Sequence, residues 1–269
     1  PESIAAMLAT ASLGAVWSSC SPDFGTQGVL DRFGQIEPKL LFAADQYFYN
    51  GRAIDCSERI NEVRAKLPSV DSVIILPYDA DAPVSLSDLS MTSLADFIEH
   101  FAAIEIEFQR FDFNHPLYIL FSSGTTGVPK CIVHGAGGTL IQHLKDHLLQ
   151  TDVKPGDRVF YFTTLGWMMW NWLVSGLAAG ATILLYDGSP FYPDGNSLFD
   201  FADKSKMTHF GTSAKFVDAA KNAKLNPMET HDLSSVRTLM STGSPLVPES
   251  YDFIYENIKA DICVSSISG

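Results

Sequence analysis

The stretch LYILFSSGTTGVPK, residues 117–130, passes from an apolar strand into a loop rich in Ser, Thr and Gly that ends at Pro129-Lys130. A second apolar run, residues 131–133, follows the loop, so buried strands are predicted on both sides of it. Glycines allow such a loop to curl tightly, and its N–H groups and hydroxyls can then surround an oxyanion. Because Lys130 adds positive charge, the stretch predicts a cradle for a polyphosphate and a nucleoside triphosphate as the ligand.

Two other interpretations of this loop are open from composition alone. Ser and Gly at this density also occur in ordinary surface turns, although the flanking apolar runs favour a ligand loop. A Walker phosphate loop is excluded, because no Gly-Lys-Ser/Thr follows Gly124 at the required spacing. No helix is predicted to begin at Lys130 either, so a helix dipole does not assist the binding of phosphate.

Helical and strand patterns alternate along the rest of the chain. This order predicts an α/β fold with layered, largely parallel sheets and flanking helices. Residues 79–114 are predicted to be an acidic connecting region without regular structure. Helices are predicted for residues 2–13, 29–33, 60–67 and 140–148. Strands are predicted for residues 15–18, 39–43, 73–76, 159–162, 182–186, 208–210, 236–240 and 262–264.

Composition excludes several classes of protein. The 269 residues include 18 Lys+Arg against 31 Asp+Glu, a net charge of −13, so a nucleic-acid-binding surface is not expected. No apolar run reaches the roughly 20 residues that span a bilayer, so no membrane insertion is expected. Four scattered cysteines without a CxxC pair indicate a reduced, cytosolic setting. His143 and His147 lack the glutamate of a zinc motif and are interpreted as helix-surface residues, so no protein metal site is predicted.

Residues 122–130 match, without a gap, the pattern Ser/Thr-Ser-Gly-Thr-Thr-Gly-x-Pro-Lys, and so resemble the acyl-adenylate-forming enzymes. That superfamily comprises acyl-CoA synthetases, luciferases and the adenylation domains of peptide synthetases. Within it, the chain is most similar to the acetyl- and acetoacetyl-CoA synthetase branch, and its acetoacetate-activating members are the nearer match. The blocks that carry this similarity are residues 1–25, VHGAGGTL (133–140), GWMMWNWLVSGLAAGATILLYDGSP (166–190), STGSPL (241–246) and the terminal SSISG (265–269).

The resemblance implies a part of the large N-terminal domain of such an enzyme. Residues 1–115 would form a partial first α/β subdomain, and residues 116–269 a second one that holds the phosphate loop and the acyl and adenine site. The implied reaction joins acetoacetate to coenzyme A in two steps, through acetoacetyl-AMP, with ATP and Mg²⁺, and releases AMP and pyrophosphate. It would serve lipid metabolism and the use of ketone bodies. Because later motifs are absent, the chain alone is expected to be inactive.

The resemblance also assigns roles to particular residues, with Lys130, Thr125 and Thr126 as the catalytic group. Trp170 and Trp172 are interpreted as packing, which is the usual role of dense aromatics and the open alternative for Trp167 and Met168 as well. A Gly-Ser-Pro connector and a solvated surface arginine remain open for the adenine and coenzyme A assignments. The remaining assignments are Ser122, Ser123, Gly124 and Gly127 for phosphate, Gly243, Ser244 and Pro245 for adenine, Trp167, Met168, Thr242, Gly243 and Gly269 for the acyl group, and Arg52 for coenzyme A.

Two enzymes and one non-enzyme compete with this interpretation. An acetyl- or propionyl-CoA synthetase would use the same chemistry on a smaller acid, and the Trp- and Met-rich block argues against it. A non-catalytic nucleotide-binding relative would keep the scaffold without turnover, and the intact loop with Lys130 argues against that. Fold alone does not separate these possibilities.

The resemblance places Gly269 where acetate-activating relatives carry a tryptophan that closes the acyl pocket. Glycine there would leave room for the additional carbonyl and methyl groups of acetoacetate. We therefore expect Gly269→Trp in the complete protein to shift preference from acetoacetate towards acetate, measured as the ratio of AMP formation with the two acids. An unchanged ratio would contradict the hypothesis.

Overall fold

A computed structural model describes residues 1–79, 91–122 and 127–268, and the chain divides into two compact units, Pro1–Thr139 and Leu140–Gly269. Compact packing within one chain does not identify the subdomains of a longer one, so the boundary predicted between residues 115 and 116 stays a prediction. Among the described residues, no helix combines the length and apolar character needed to cross a bilayer.

The first unit contains three small sheets. One has the order β1-β7-β8, with β1 parallel and β8 antiparallel to β7; the second has the order β2-β5-β6 and is parallel; the third is the β3-β4 hairpin. Its elements are α1 (Glu2–Ser12), β1 (Trp17–Ser18), α2 (Thr26–Phe33), β2 (Leu40–Ala44), β3 (Gln46–Tyr49), β4 (Arg52–Asp55), α3 (Ser57–Lys66), β5 (Ser72–Leu76), β6 (Met91–Ser93), α4 (Leu94–Glu99), β7 (Pro116–Phe121), β8 (Cys131–Gly135) and the start of α5 (Ala136–Lys145).

The second unit is built on one parallel sheet of five strands in the order β10-β9-β11-β12-β13. Helical turns at Asp146–Gln150, Gly176–Ala179 and Ile254–Ile258 extend α5, α6 and α10. The other elements are β9 (Arg158–Tyr161), α6 (Met168–Ser175), β10 (Thr182–Leu184), α7 (Ser197–Ser205), β11 (His209–Ser213), α8 (Ala214–Asn222), α9 (Pro227–Thr230), β12 (Thr238–Thr242), α10 (Pro248–Phe253) and β13 (Cys263–Ser266). The predicted α/β fold with parallel sheets and flanking helices is confirmed.

Residue alternation along the strands of this sheet creates a core on each face. On one face, Phe160 lies edge-on to Phe210, whose ring stacks on Phe199 at 5.8 Å between centroids. On the other face, Tyr161 lies edge-on to Trp172 of α6. Successive strand residues point to opposite faces, so Phe160 and Tyr161 belong to different cores. Trp170 and Trp172 are both buried, as predicted.

Three features of the fold differ from the predictions. The antiparallel pairs β3-β4 and β7-β8 were not predicted, since neither orientation nor pairing can be inferred from a single apolar run. The predicted connector of residues 79–114 contains the short strand β6 and the helix α4. That helix begins with a side-chain cap, because the Ser93 hydroxyl accepts the backbone N–H of Asp96 at 3.1 Å.

The placement of His143 and His147 on the helix surface was wrong. Both are buried, and His147 is fully inaccessible. His147 Nε2 donates to the Trp172 carbonyl oxygen at 2.9 Å, and its ring lies 4.0 Å from the Trp172 ring. The Ser175 hydroxyl lies 3.0 Å from His147 Nε2 and from His143 Nδ1. The helix therefore turns its histidine side to the core, because polar partners are available there, while Leu140 is nearly half exposed.

His209 of β11 is a second fully buried histidine. Its Nε2 donates to the Thr151 carbonyl oxygen at 3.0 Å, and the Thr208 hydroxyl lies 2.8 Å from its Nδ1. Asp157 lies 4.0 Å away and is paired with Arg237 through contacts of 2.7 and 3.0 Å. Burial would raise the pKa of Asp157, but the hydrogen bonds from Arg237 and from the Lys154 N–H hold it below its usual value.

Burial lowers the pKa of both His147 and His209. The unfolded chain takes up protons near pH 6.5, whereas the folded chain resists protonation until a lower pH, so stability is complete above about pH 6.5 and declines below it. Each histidine can contribute up to about 1.4 kcal/mol per pH unit to this decline. We expect it in denaturant titrations of the complete protein at pH 7.5, 6.5 and 5.5, followed by tryptophan fluorescence, which reports on Trp172 beside His147.

Two variants separate this effect from other titrating groups. His147→Gln keeps a donor for the Trp172 carbonyl but takes no proton, so the loss of stability between pH 6.5 and 5.5 should be smaller than in the unmodified protein. His100→Gln, which replaces an exposed ring, should leave that loss unchanged. An identical loss in His147→Gln and in the unmodified protein would refute the assignment.

Adjacent glycines at the start of α5 make a matched pair for a packing test. A Cβ on Gly137 would lie 2.3 Å from the Phe113 ring, whereas a Cβ on Gly138 would have nothing within 4 Å. Alanine at 138 should stabilise the helix by about 0.5–1 kcal/mol. Alanine at 137 must displace the ring, so its variant should be less stable than Gly138→Ala by at least about 1 kcal/mol. Thermal unfolding of the two variants measures the difference, and equal midpoints would contradict the close packing.

Candidate functional site

The loop of residues 122–130 is closed at its base by the β7-β8 hairpin. Phe121 and Cys131 are opposite each other in the antiparallel pair. One residue further in, the Ser122 N–H donates to the Lys130 carbonyl at 3.0 Å, and the Lys130 N–H donates to Ser122 Oγ at 3.0 Å. The two ends of the loop, Ser122 and Lys130, are therefore held together.

Four of the predicted phosphate-binding residues, Ser123, Gly124, Thr125 and Thr126, lie outside the described residues. Gly127, which follows them, has a φ of +93° and open space where a Cβ would project. That left-handed conformation favours glycine over any other residue. Pro129 is fixed to the turn that follows α2, since Gln35 Nε2 donates to its carbonyl oxygen at 2.8 Å. The C-terminal side of the loop is thus anchored at a defined point.

Lys130 itself is exposed, and none of the ion pairs between described residues includes it. Its charge is therefore available to an external anion. The Ser122 hydroxyl is partly committed, since it accepts the Lys130 N–H, but its own hydrogen can still be donated. An exposed lysine beside a glycine-rich turn fits a polyphosphate.

Arg32 is a second cation beside the loop that the sequence analysis missed. Its guanidinium lies 5.9 Å from the ring centroid of Phe121, the last residue of β7, and 4.6 Å from that of Phe24. Its Nη1 also donates to the Gly28 carbonyl at 2.7 Å, which fixes it on α2. No motif announces this residue, because its position depends on the packing of α2 against the strand.

Arg52, the predicted coenzyme A contact, begins β4 and is exposed. It is opposite Tyr49 in the β3-β4 hairpin, whose turn consists of Asn50 and Gly51 with φ of +48° and +72°. Asn-Gly with two positive φ angles is the preferred two-residue hairpin turn. The hairpin places Arg52 on the surface of the first unit, where either a ligand or solvent can reach it.

The Trp- and Met-rich block of the second unit divides into an exposed and a buried part. Trp167 caps α6 in an extended conformation, and Trp167 and Met168 are 56% and 42% exposed. Trp170 and Trp172, one turn further on, are buried. The exposed pair lies between the end of β9 and the first turn of α6, where a ligand can reach both side chains.

The segment after β12 leaves the same sheet at the same edge. Thr242 ends the strand, and its hydroxyl donates to the Ile267 carbonyl at 3.0 Å, so it is already engaged. Gly243 has a φ of +92°, and Gly243, Ser244 and Pro245 are exposed before the buried Leu246. In parallel α/β sheets, ligands bind outside the carboxyl ends of the strands.

Two buried hydroxyls near that edge have no hydrogen-bond partner among the residues that the structure describes. Thr212 of β11 and Ser241 of β12 are opposite each other in the strand register, and both are almost completely buried. Unpaired buried polar atoms are uncommon and call for an explanation. The predicted acyl and adenine residues of the second unit, Trp167, Met168 and residues 242–245, follow two strands of one parallel sheet, and their roles stay predictions. Gly269 lies outside the described residues, and the phosphate loop belongs to the first unit.

Two of the four free cysteines, Cys20 and Cys56, offer no competing nucleophile. Burial raises the pKa of the Cys20 thiol to about 12, and the nearby Arg32 only partly opposes this. Burial also raises the pKa of Cys56. Both thiols are therefore protonated at neutral pH, and a thiol is a poor nucleophile.

Comparison with known proteins gives consistent matches. The family described as AMP-binding enzyme matches residues 1–264. The acetoacetyl-coenzyme A synthetase of Rhizobium meliloti (strain 1021) is 58% identical over 270 residues, which cover 100% of this chain and 41% of that protein. The malonamoyl-CoA synthetase of Penicillium aethiopicum is 44% identical over 289 residues, covering 100% of this chain and 40% of the relative.

A solved structure is also similar to this chain. The acetoacetyl-CoA synthetase of Streptomyces lividans has a TM-score of 0.93 and 42% identity, over 100% of this chain and 41% of that one. The chain thus spans about 41% of the length of these relatives.

Proposed function

We propose that this chain, which belongs to the AMP-binding enzyme family, is the part of an acid–thiol ligase that binds ATP and the acyl group of acetoacetate. The observation that carries the proposal is 58% identity, across the whole chain, to a protein named acetoacetyl-coenzyme A synthetase. The complete protein would convert acetoacetate, ATP and coenzyme A into acetoacetyl-CoA, AMP and pyrophosphate.

The chemistry proceeds in two displacements. A carboxylate oxygen of acetoacetate attacks the α-phosphorus of ATP, and pyrophosphate leaves. The thiol of coenzyme A then loses its proton and attacks the acyl carbon, and AMP leaves. No protein nucleophile takes part, so this chain contributes by positioning the reactants and stabilising charge.

The phosphate loop would hold the β- and γ-phosphates through the hydroxyls and N–H groups of residues 122–127. Lys130 would offset their negative charge, since its ammonium group is exposed and has no ion-pair partner among the described residues. Magnesium, which prefers oxygen ligands, would enter with the phosphates of ATP and, together with Lys130, would offset their negative charge. Thr125 and Thr126 would act with Lys130 in the first step.

The acyl group would lie at the carboxyl edge of the five-stranded sheet. Trp167 and Met168 would form its apolar wall, Thr242, Gly243 and Gly269 would border it, and Ser244 and Pro245 would continue to the adenine. Acetoacetyl and malonamoyl groups, which the names of two relatives specify, both carry a second carbonyl at carbon 3. A site for such acids must accommodate that oxygen as well as the chain.

Several finer assignments complete the proposal. Arg52 would contact the nucleotide part of coenzyme A, and residues 1–115 and 116–269 would be two subdomains of the larger enzyme. The protein would act in the cytosol, in lipid metabolism and the use of ketone bodies. It would meet small molecules rather than nucleic acids.

The test is AMP formation by the complete protein with ATP, magnesium and coenzyme A, in parallel with acetoacetate, acetate, propionate and butyrate. Preference for acetoacetate is the expected result. Preference for acetate or propionate would keep the chemistry and replace the substrate. Binding of ATP without AMP formation from any acid would favour a non-catalytic relative.

Replacing Lys130 with Ala should lower kcat/KM for ATP by at least about tenfold, because a charged contact to phosphate is worth about 1.5–3 kcal/mol. Thermal unfolding should not change, since the side chain is exposed. Lys66→Ala, at the exposed end of α3, is the matched control and should retain normal kinetics. Normal ATP kinetics in Lys130→Ala would refute the role of this lysine.

A further inference from the structure

Asn171 carries a buried amide. It is 1% exposed, and neither its Nδ2 nor its Oδ1 has a hydrogen-bond partner among the described residues. Leaving a buried polar group unsatisfied is costly, so such groups usually meet a bound water or a ligand. Two unpaired atoms on one side chain make this position stand out within α6.

The position of Asn171 on α6 connects it to the proposed acyl wall. It follows Met168, the first residue of the helix, by three residues, and this spacing places the two residues on one side of α6. Met169, Trp172 and Leu173 pack into the core against the sheet. At about 100° of rotation per residue, Asn171 lies on the side of α6 turned away from that core. The amide is therefore on the same side of the helix as the exposed Met168, outside the apolar core.

We infer that the Asn171 amide is a specificity determinant of the acyl site, with Nδ2–H donating a hydrogen bond to the oxygen at carbon 3 of the acid. The inference rests on the proposed function, which supplies an acid with a carbonyl at that carbon. A ketone oxygen only accepts hydrogen bonds, and the amide nitrogen supplies two donors. The ketone oxygen would thus accept a hydrogen bond from the Asn171 amide nitrogen, which has no partner among the described residues.

This hydrogen bond would let the site select a 3-oxo acid over a saturated acid. An apolar wall of tryptophan and methionine separates acids by length, but it favours butyrate at least as much as acetoacetate. A buried donor reverses that preference, because an acid without the oxygen leaves the donor unpaired, and sites of this kind reject such analogues strongly. Asn171 would therefore distinguish a 3-oxo acid from a saturated acid of the same length.

The test is Asn171→Leu in the complete protein, a change that preserves the number and branching of the side-chain heavy atoms and removes both polar atoms. We expect kcat/KM for acetoacetate to fall at least about tenfold, because one good hydrogen bond is lost. The kcat/KM for butyrate should be unchanged or higher. Thermal unfolding should not shift downwards, since the removed atoms have no protein partner. Asn226→Leu, which replaces another asparagine with an unpaired Oδ1 in the same unit, should leave the ratio of the two acids unchanged.

The other outcomes overturn the inference. Equal losses for both acids, or no loss for either, would mean that Asn171 has no role in selecting the acid. If Asn171→Leu does not fold, Asn171→Ala is measured by the same ratio, and failure of both to fold would assign Asn171 a structural role. If the unmodified protein uses another acid and not acetoacetate, the proposed function fails and takes this inference with it. Loss of selectivity in Asn171→Leu alone leaves the proposed function intact.

Discussion

Parallel pairing of β9, β11 and β12 is the constraint on which the second unit depends. When neighbouring strands run in the same direction, every connection must cross back, and all the strands release the chain at one edge. The loop before α6 and the segment after β12 therefore leave the sheet at the same edge, two strands apart, although about 75 residues of sequence lie between them (residues 167 and 242). Helices on both faces complete two aromatic cores, which hold that edge in place.

In the first unit, the antiparallel pair β7-β8 holds the two ends of the predicted phosphate loop. A loop that wraps an anion needs its ends close together, and an antiparallel hairpin provides this directly. The reciprocal bonds between Ser122 and Lys130 bring the ends together, Gln35 anchors Pro129, and Lys130 keeps its charge exposed. The backbone of Lys130 thus closes the base of the loop through its hydrogen bonds to Ser122, while its side chain remains available to a ligand.

Apolar runs were sufficient to predict most of the strands that the structure describes, because burial requires such runs wherever the chain crosses a core. Apolar runs could not predict how strands pair. The sequences of β7 and β8 are compatible with parallel and with antiparallel pairing, since the direction depends on hydrogen bonds between residues of different strands. The β3-β4 hairpin could have been predicted from Asn50-Gly51, a local turn signal. The burial of His147 could not, because its partners, Trp172 and Ser175, are brought to it only by tertiary packing. Of the candidate site, the motifs gave the segments, whereas Arg32 and Asn171 emerged only from contacts and burial.

The division of α6 has a consequence for how such a protein can change over evolutionary time. Trp170, Trp172, Leu173 and Val174 are apolar and buried, so most substitutions there would reduce stability before they altered a ligand contact. Trp167 and Met168 stand clear of the core, and their replacement carries little structural penalty. Substitutions at these two positions could alter the preferred acid while the fold stays the same. The start of this helix could therefore change in sequence more readily than the buried residues that follow it.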